Sequence, residues 1–572
     1  MSKLSALKSE SIDSGDIWKQ RKISTDKRVD RHLLGNLKKL SEVLTDENRD
    51  YKLPIKHAHT LIGKYIYLKY LRDRDILSDE RFEKAKINVD DIFGSNANKD
   101  KLYQLEDYLD DFLNGLVFPL PSINDIQTEH IKEVASAFKG GDPKSGQQVL
   151  FDIYDFSYVP IETLSVVYQQ FLHAKGQGRS KGAYYTPVHL VNFILDELDA
   201  KNPLKKGMKI FDSSCGSGAF LVQCYRRLIE GIIRGKGAKL TPTDLKKLLV
   251  DNIFGLDADK EACRVAELSL SLTLLDYINP PDLSSKKHKG FKLPKLHNKN
   301  IFHCEGGFFD GDSVWTKSMP QNRYDWIVGN PPWKDEYNLD KSYDRNALNW
   351  INSNKRRYPV GQQQLAEAFA WKTTEVLSES GQCGLLMPAL TLFKIYSKSF
   401  RKRFFWEVET WCIVNFANLR HRLFEGADNP AAAFFFSGKK DWDKSEHYIT
   451  TYAPFAVEQS SELSQKGKSR KLWTVFVNYS SIKEIPLREL EEGASVPWKI
   501  AMWGTHRDTL LFRYLSSRKL PVLGETTVRD NMALSEGLQL RAAAAKGKNK
   551  KESKKTEELE LCNEVQGKDL LL

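Results

Sequence analysis

Ten residues near the middle of the chain, Tyr324-Asp325-Trp326-Ile327-Val328-Gly329-Asn330-Pro331-Pro332-Trp333, combine groups that can hold a flat amine. Two consecutive prolines fix their own φ angles and carry no backbone N–H, so their carbonyls are left to accept from outside the chain. The Asn330 side-chain oxygen stands beside the Pro331 carbonyl, and together they can accept both hydrogens of a planar amino group. Trp333 offers a face on which a heterocycle can stack. Trp326-Ile327-Val328 reads as the buried strand that delivers this turn to its place. Taken alone, the stretch is also compatible with an ordinary strand-to-loop turn begun by Asn-Pro.

The elements upstream supply the parts of a nucleotide-type pocket. Lys209-Ile210-Phe211-Asp212 is a short strand, and Ser213-Ser214-Cys215-Gly216-Ser217-Gly218-Ala219-Phe220 is a small-residue turn leading into a helix to about Ile233. Glycines at Gly216 and Gly218 let a ligand approach the backbone closely. There is no Gly-Lys-Ser/Thr of a phosphate loop and no third glycine of a dinucleotide fingerprint. Ile253 to Asp259 forms the second strand and its tip. Asp257 is placed to accept hydrogen bonds from a ribose diol, while Asp259 suits the cap of the following helix, Lys260 to Tyr277. A ligand with a ribose and no phosphates fits this combination. S-adenosylmethionine is one, and its sulfonium is compatible with acidic neighbours such as Asp212. Ahead of these, Gly182-Ala183-Tyr184-Tyr185-Thr186-Pro187 precedes an amphipathic helix, Val188 to Leu198. Thr186 and Pro187 suit the cap and first helical position, or the Thr186 hydroxyl faces a ligand.

A chain of 572 residues exceeds one compact core, and two to four domains are expected. Hydrophobic residues at 41% and aromatics at 11% are those of a folded protein. No apolar run approaches the roughly 20 residues of a membrane span and the start lacks a secretory core, so a cytoplasmic protein without membrane attachment is expected. The seven cysteines (Cys215, Cys224, Cys263, Cys304, Cys383, Cys412, Cys562) form no C-x-x-C pair, so neither disulfides nor a metal site is expected. A net charge of +11 and a pI near 9.0 favour an anionic partner without naming it. Helical spacing of Leu33, Leu34, Leu37, Leu40 and Leu44, then of His57 to Leu77, Leu102 to Leu116 and Ile161 to Leu172, predicts a helical domain over residues 1–180. Glu83-Lys84-Ala85-Lys86 lies in a charged helix and reads as a solvated face, not a nuclease cluster.

In sequence order, Gly182 to Pro187, Asp212 to Phe220, Gly255 to Asp259 and Asn330 to Trp333 resemble motifs X, I, II and IV of the γ-class DNA adenine-N6 methyltransferases of restriction-modification and phage-defence systems. Asp212-Ser213 replaces the family's usual Asp-Pro. Gly381 to Pro388 is similar to the family's fifth strand. Leu423 to Pro430 with Ala431 to Phe436 is similar to the segment that packs an aromatic residue on the target base, here Phe424. The resemblance implies an α/β, Rossmann-like class I methyltransferase fold over residues 181–440 and cofactor contacts from Tyr185, Thr186, Pro187, Asp212, Ser214, Cys215, Gly216, Gly218, Phe220 and Asp257. Glu305 or Asp312 would contact the cofactor's adenine.

It further implies methyl transfer from S-adenosylmethionine to the N6 amine of an adenine flipped out of duplex DNA, with Asn330, Pro331, Pro332 and Trp333 as the catalytic loop and Trp333 and Phe424 stacking on the base. Residues 441–572 are expected to form a smaller mixed C-terminal region, a partial target-recognition domain, with a strand and helix over Trp498 to Leu515. Its basic tail includes Lys546, Lys548, Lys550, Lys551, Lys554 and Lys555. Its shortness suggests a separate specificity subunit, or a nuclease partner, since no nuclease motif is found. The same amine-holding device would also serve an RNA base or a protein glutamine, and an idle DNA-binding subunit is a third class.

Overall fold

The computed structural model describes residues 29–113, 118–141, 155–172, 186–236, 239–284, 290–318, 323–337, 339–340, 344–423, 429–458 and 473–518. The N-terminal helices α1 (Val29–Leu44), α2 (Ile55–Asp73), α3 (Lys99–Leu113) and α5 (Ile161–Leu172) form where the apolar spacing predicts them, and α4 (Thr128–Phe138) is a further helix not singled out by sequence. Leu33, Leu37, Leu40 and Leu44 turn inward together from α1, as residues three and four apart must on one helical face.

A nine-stranded sheet follows, built from β1 (Ile210–Asp212), β2 (Ile253–Asp257), β3 (Ile301–His303), β4 (Tyr324–Gly329), β5 (Leu377–Pro388), β6 (Thr410–Asn415), β7 (Ala431–Ser437), β8 (Tyr448–Tyr452) and, after a separate ribbon of β9 (Phe455–Glu458) and β10 (Trp473–Phe476), β11 (Lys483–Pro486). The order is 11-8-6-7-5-4-1-2-3. β7 runs antiparallel between β5 and β6, β11 is antiparallel to β8, and the other pairings are parallel. The carboxyl ends of β1, β2, β4, β5, β6 and β8 therefore share one edge.

Helices cover both faces: α6 (Val188–Lys201), α7 (Ala219–Lys236), α8 (Pro242–Asn252) and α9 (Lys260–Asp276) on one side, and α10 (Arg345–Asn354), α11 (Leu365–Val376) and α12 (Lys398–Glu407) on the other. The strands are apolar on both faces for that reason. In β4, Trp326 and Val328 belong to one core and Ile327 to the other. The N-terminal helices pack into the first of these cores. Polar links join them to it as well: Ser165 Oγ and Ser269 Oγ lie 2.6 Å apart, and Arg226 reaches both Glu162 (2.9 Å) and Asp276 (3.1 Å).

Two expectations are corrected. The sheet does not end near residue 440, because β8 and β11 extend it with their own hydrogen bonds. No strand forms at Trp498; Val496–Trp503 is a helix (α13) that buries the Trp498 ring, and a second helix covers His506–Ser517. The chain divides into compact units after Thr505, and that last helix belongs to the second unit. No helix among the described residues is long and apolar enough to cross a membrane.

Candidate active site

The site lies at the shared carboxyl edge, where β1 and β4 are neighbours in the register Ile210↔Trp326 and Phe211↔Ile327. Each strand leaves the sheet there through the turn that the sequence singled out. A Cβ built on Gly329 would stand 2.6 Å from Asp212 Oδ1, so the absence of a side chain is what lets the Asn330 loop and the glycine turn meet.

In the glycine turn, Asp212 Oδ1 accepts the Ser214 N–H (3.0 Å) and Asp257 Oδ2 accepts the Gly216 N–H (2.8 Å). The other Asp257 oxygen takes the Asp259 N–H at 2.8 Å, and Asp259 caps α9 through Glu261 N and Ala262 N. Asp257 thus shapes the turn as well as standing at the tip of β2. Gly216 (φ 53°) and Gly218 (φ 84°) adopt left-handed backbone that favours glycine. Behind them, a Cβ on Gly255 would come within 2.6 Å of Leu221, so the turn is packed tightly on β2. Phe220 lies in the first turn of α7 with its ring in the core, and Cys215 is buried.

Burial pushes the Asp212 carboxyl up to about 8, with the neighbouring Asp257 adding to the rise, and pushes Asp257 to about 6. Two carboxyls held in this way favour a cationic ligand. The Ser214 hydroxyl is buried with no hydrogen-bond partner, an open position of the kind a ligand fills. These residues fit a ribose-bearing, positively charged cofactor. Glu305 follows Cys304, whose N–H donates to the Asp257 carbonyl at 3.0 Å, and is exposed just past β3; Asp312 is exposed in the next turn, its own N–H bonded to Asp310. Of the two acids, Glu305 is nearer to Asp257 along the chain path.

In the Asn330 loop, Nδ2 donates to the Thr186 hydroxyl at 3.1 Å. That bond corrects the capping expectation: Pro187, not Thr186, is the N-cap of α6, and no side chain caps it. Asn330 Oδ1 is buried and has no donor. Trp333 Nε1 donates to the Leu386 carbonyl at the end of β5 (3.2 Å), which pins one edge of the indole while the ring packs between the two cores. Pro331 is buried and Pro332 half-buried. Tyr185 and Phe424 lie outside the described residues, as does the lysine-rich tail.

Residues not singled out by sequence brace this loop. Lys334 is buried in an ion pair with Asp344 (3.0 Å), while its carbonyl takes the Leu365 N–H at 2.8 Å. Glu336 N donates to Gln362 O at 2.9 Å. Gln362 (φ 46°) and Gln363 (φ 53°) are both left-handed, an arrangement that non-glycine residues keep only when their surroundings hold it. The holding group is Glu367, fully buried, which accepts from Gly361 N (2.7 Å) and Ser397 Oγ (2.6 Å). Burial raises its carboxyl to about 7.

The chain is similar to several known proteins. The chain is 22% identical over 342 residues to a type I restriction enzyme MjaVII methylase subunit from Methanocaldococcus jannaschii, covering 58% of this chain and 51% of that protein. It is 22% identical over 404 residues to the type II restriction enzyme and methyltransferase RM.Eco57I from Escherichia coli, covering 61% of this chain and 38% of that one. The matched part therefore spans about half the length of these relatives or less. A type I restriction-modification methyltransferase subunit from Streptococcus thermophilus superposes with a TM-score of 0.46 at 15% identity, over 78% of this chain and 91% of that one. The sequence profile described as N-6 DNA methylase matches residues 160–485, a span that starts at α5 and ends within β11 and so takes in the glycine turn, Asp257 and the Asn330 loop. With more than half of its residues inside that match, the chain belongs to the N-6 DNA methylase family.

Proposed function

We propose that the protein transfers a methyl group from S-adenosylmethionine to the N6 amine of an adenine extruded from duplex DNA, with the γ-class motif order, in a restriction-modification or phage-defence setting in the cytoplasm. The observation that carries this reading is the buried Asn330 Oδ1, which faces no donor, one strand away from Asp212 and the glycine turn. An amino group is the partner such an oxygen lacks.

Bound over Gly216 and Gly218, S-adenosylmethionine supplies a methyl group made electrophilic by its sulfonium sulfur. Asp257 offers a carboxylate to the ribose, Thr186 and Pro187 border the pocket from α6, and Asp212 offers a carboxyl that ionises beside the cation. Glu305 or Asp312 would accept from the cofactor's adenine. Asn330 Oδ1 and the Pro331 carbonyl accept the two N–H groups of the target amine, drawing its lone pair out of the ring and toward the donor. Trp333 and Phe424 would stack on the base, Tyr185 would border the cofactor, and the stacking helps offset the few kcal/mol of unstacking. The helical domain is the part of the chain ahead of the sheet, up to about residue 180, and the catalytic domain is the sheet with its helices, which runs past residue 440 to β11, leaving a recognition role to the chain that follows. Type I methylase subunits among the relatives favour a separate specificity subunit as partner.

Incubation with labelled S-adenosylmethionine and duplex DNA, followed by nucleoside analysis, tests the reading: N6-methyladenine should carry the label. Label in cytosine, RNA or protein, or none at all, would refute it.

A further inference from the structure

Three side chains to which the proposed reaction gives no task lie at the same edge of the sheet. Tyr337 is 77% exposed, Ile395 76% and Tyr396 60%. Single exposed apolar groups are ordinary, but a cluster of this kind marks a contact surface. Tyr337 follows closely on Trp333, and Ile395 and Tyr396 follow the end of β5, the strand next to β4.

The corner at Gly361–Leu365 brings them together. On one side it is tied to the segment after Trp333 by Leu365 N to Lys334 O and Glu336 N to Gln362 O. On the other, a Cβ on Gly361 would stand 2.6 Å from the Tyr396 carbonyl, so corner and turn meet backbone to backbone. Glu367 fastens both at once through Gly361 N and Ser397 Oγ. The Glu336 carboxylate and, with it, the Tyr396 phenol hold the Tyr337 hydroxyl's pKa up, as neighbours would. Lys394 (3.8 Å from Asp335) and exposed Lys398 flank the group.

We infer that Tyr337, Ile395 and Tyr396 form a fixed wedge that enters duplex DNA beside the extruded base and fills the gap it leaves in the stack. The inference rests on the methyl-transfer reading for the identity of that base. A duplex is the occupant these observations favour over a protein. The backbone that carries the side chains is tied to the loop that would hold the extruded base, exposed Lys398 stands beside them for a phosphate while Lys394 is paired with Asp335, and apolar side chains inserted at a base step replace lost stacking. The corner with left-handed Gln362 and Gln363 ties the wedge to the segment that follows Asn330 and Trp333 through the Glu336 N–H to Gln362 O and Leu365 N–H to Lys334 O bonds.

The test is fluorescence anisotropy with labelled duplex of random sequence, either fully paired or carrying a central abasic site where the stack is already broken. The full-length protein should bind the abasic duplex roughly tenfold more tightly, since less unstacking is needed. Ile395→Ser/Tyr396→Ser and Tyr337→Ser should reduce that preference to about twofold or less, with unfolding midpoint and S-adenosylmethionine affinity unchanged because the side chains are exposed. Absence of the preference in the unaltered protein overturns the wedge. So do variants that keep it, as a protein-docking face would, and variants that lose affinity for both duplexes equally, as a phosphate contact would. Methyl transfer is read separately. Preference without transfer leaves the wedge standing and removes the methyltransferase reading; transfer without preference does the reverse; no DNA binding removes both.

Discussion

Asn330→Ala separates chemistry from stability. In the folded chain Asn330 Oδ1 is buried with no donor, and its Nδ2 has one bond, to Thr186 at 3.1 Å. Leaving an acceptor unpaired in the interior costs about 1–3 kcal/mol, whereas a hydrogen bond returns about 0.5–1.5 kcal/mol net. Truncation to alanine removes both contributions and a small amount of packing, so the change in unfolding stability should lie between a loss of about 1 kcal/mol and a gain of about 2.5 kcal/mol. Catalysis should behave differently. A preorganised polar contact to the charge that develops in a transition state is worth about 2.7–4 kcal/mol, so kcat should fall by about 10²–10³. Urea unfolding gives the first quantity, and single-turnover methyl transfer with calorimetric cofactor binding gives the second. A loss of stability above about 3 kcal/mol would mean that the amide is a structural core group. A fall in cofactor affinity equal to the fall in kcat would mean that it binds cofactor, and either result refutes the assignment.

Three further outcomes follow from the geometry. Because burial raises Asp212 to about 8, the folded chain keeps a proton that the unfolded chain releases near 4; stability from this group is full at low pH and is lost as pH rises through that window. A cationic cofactor prefers the ionised carboxylate, so its affinity measured by calorimetry should rise over the upper part of the same interval, and Asp212→Asn should flatten the dependence; an unchanged slope in the variant would assign it elsewhere. Gly329→Ala puts a methyl 2.6 Å from Asp212 Oδ1 and should cost about 1–3 kcal/mol in denaturant titration and weaken cofactor binding, with wild-type behaviour in both counting against the packing described. Lys334→Ala leaves the Asp344 carboxylate buried without its cation and should destabilise by about 3–5 kcal/mol, read as a lower urea midpoint, while a change below about 1 kcal/mol would show the pair to be solvated.

The sequence by itself determined the local elements and their order. Short apolar strands ending in a glycine turn, an acidic tip and an Asn-Pro-Pro-Trp loop follow from side-chain period, proline stereochemistry and the backbone freedom of glycine, all of which act within a few residues. Asp259 capping α9 was legible for the same reason. Trp498 misled, because a short apolar run with aromatic residues suits strand or helix equally until packing chooses. Thr186 also misled: its position fits a cap, and only β4 arriving beside α6 gives its hydroxyl to Asn330. What tertiary structure alone decided were the relations between segments far apart in the chain. These are the placement of Gly329 against Asp212, the insertion of β7 between β5 and β6, the growth of the sheet to β8 and β11, and Glu367 fastening two loops at once. Such contacts arise from which surfaces are buried against one another. A buried acceptor or carboxylate has its partners, or lacks them, only after the whole chain has closed around it.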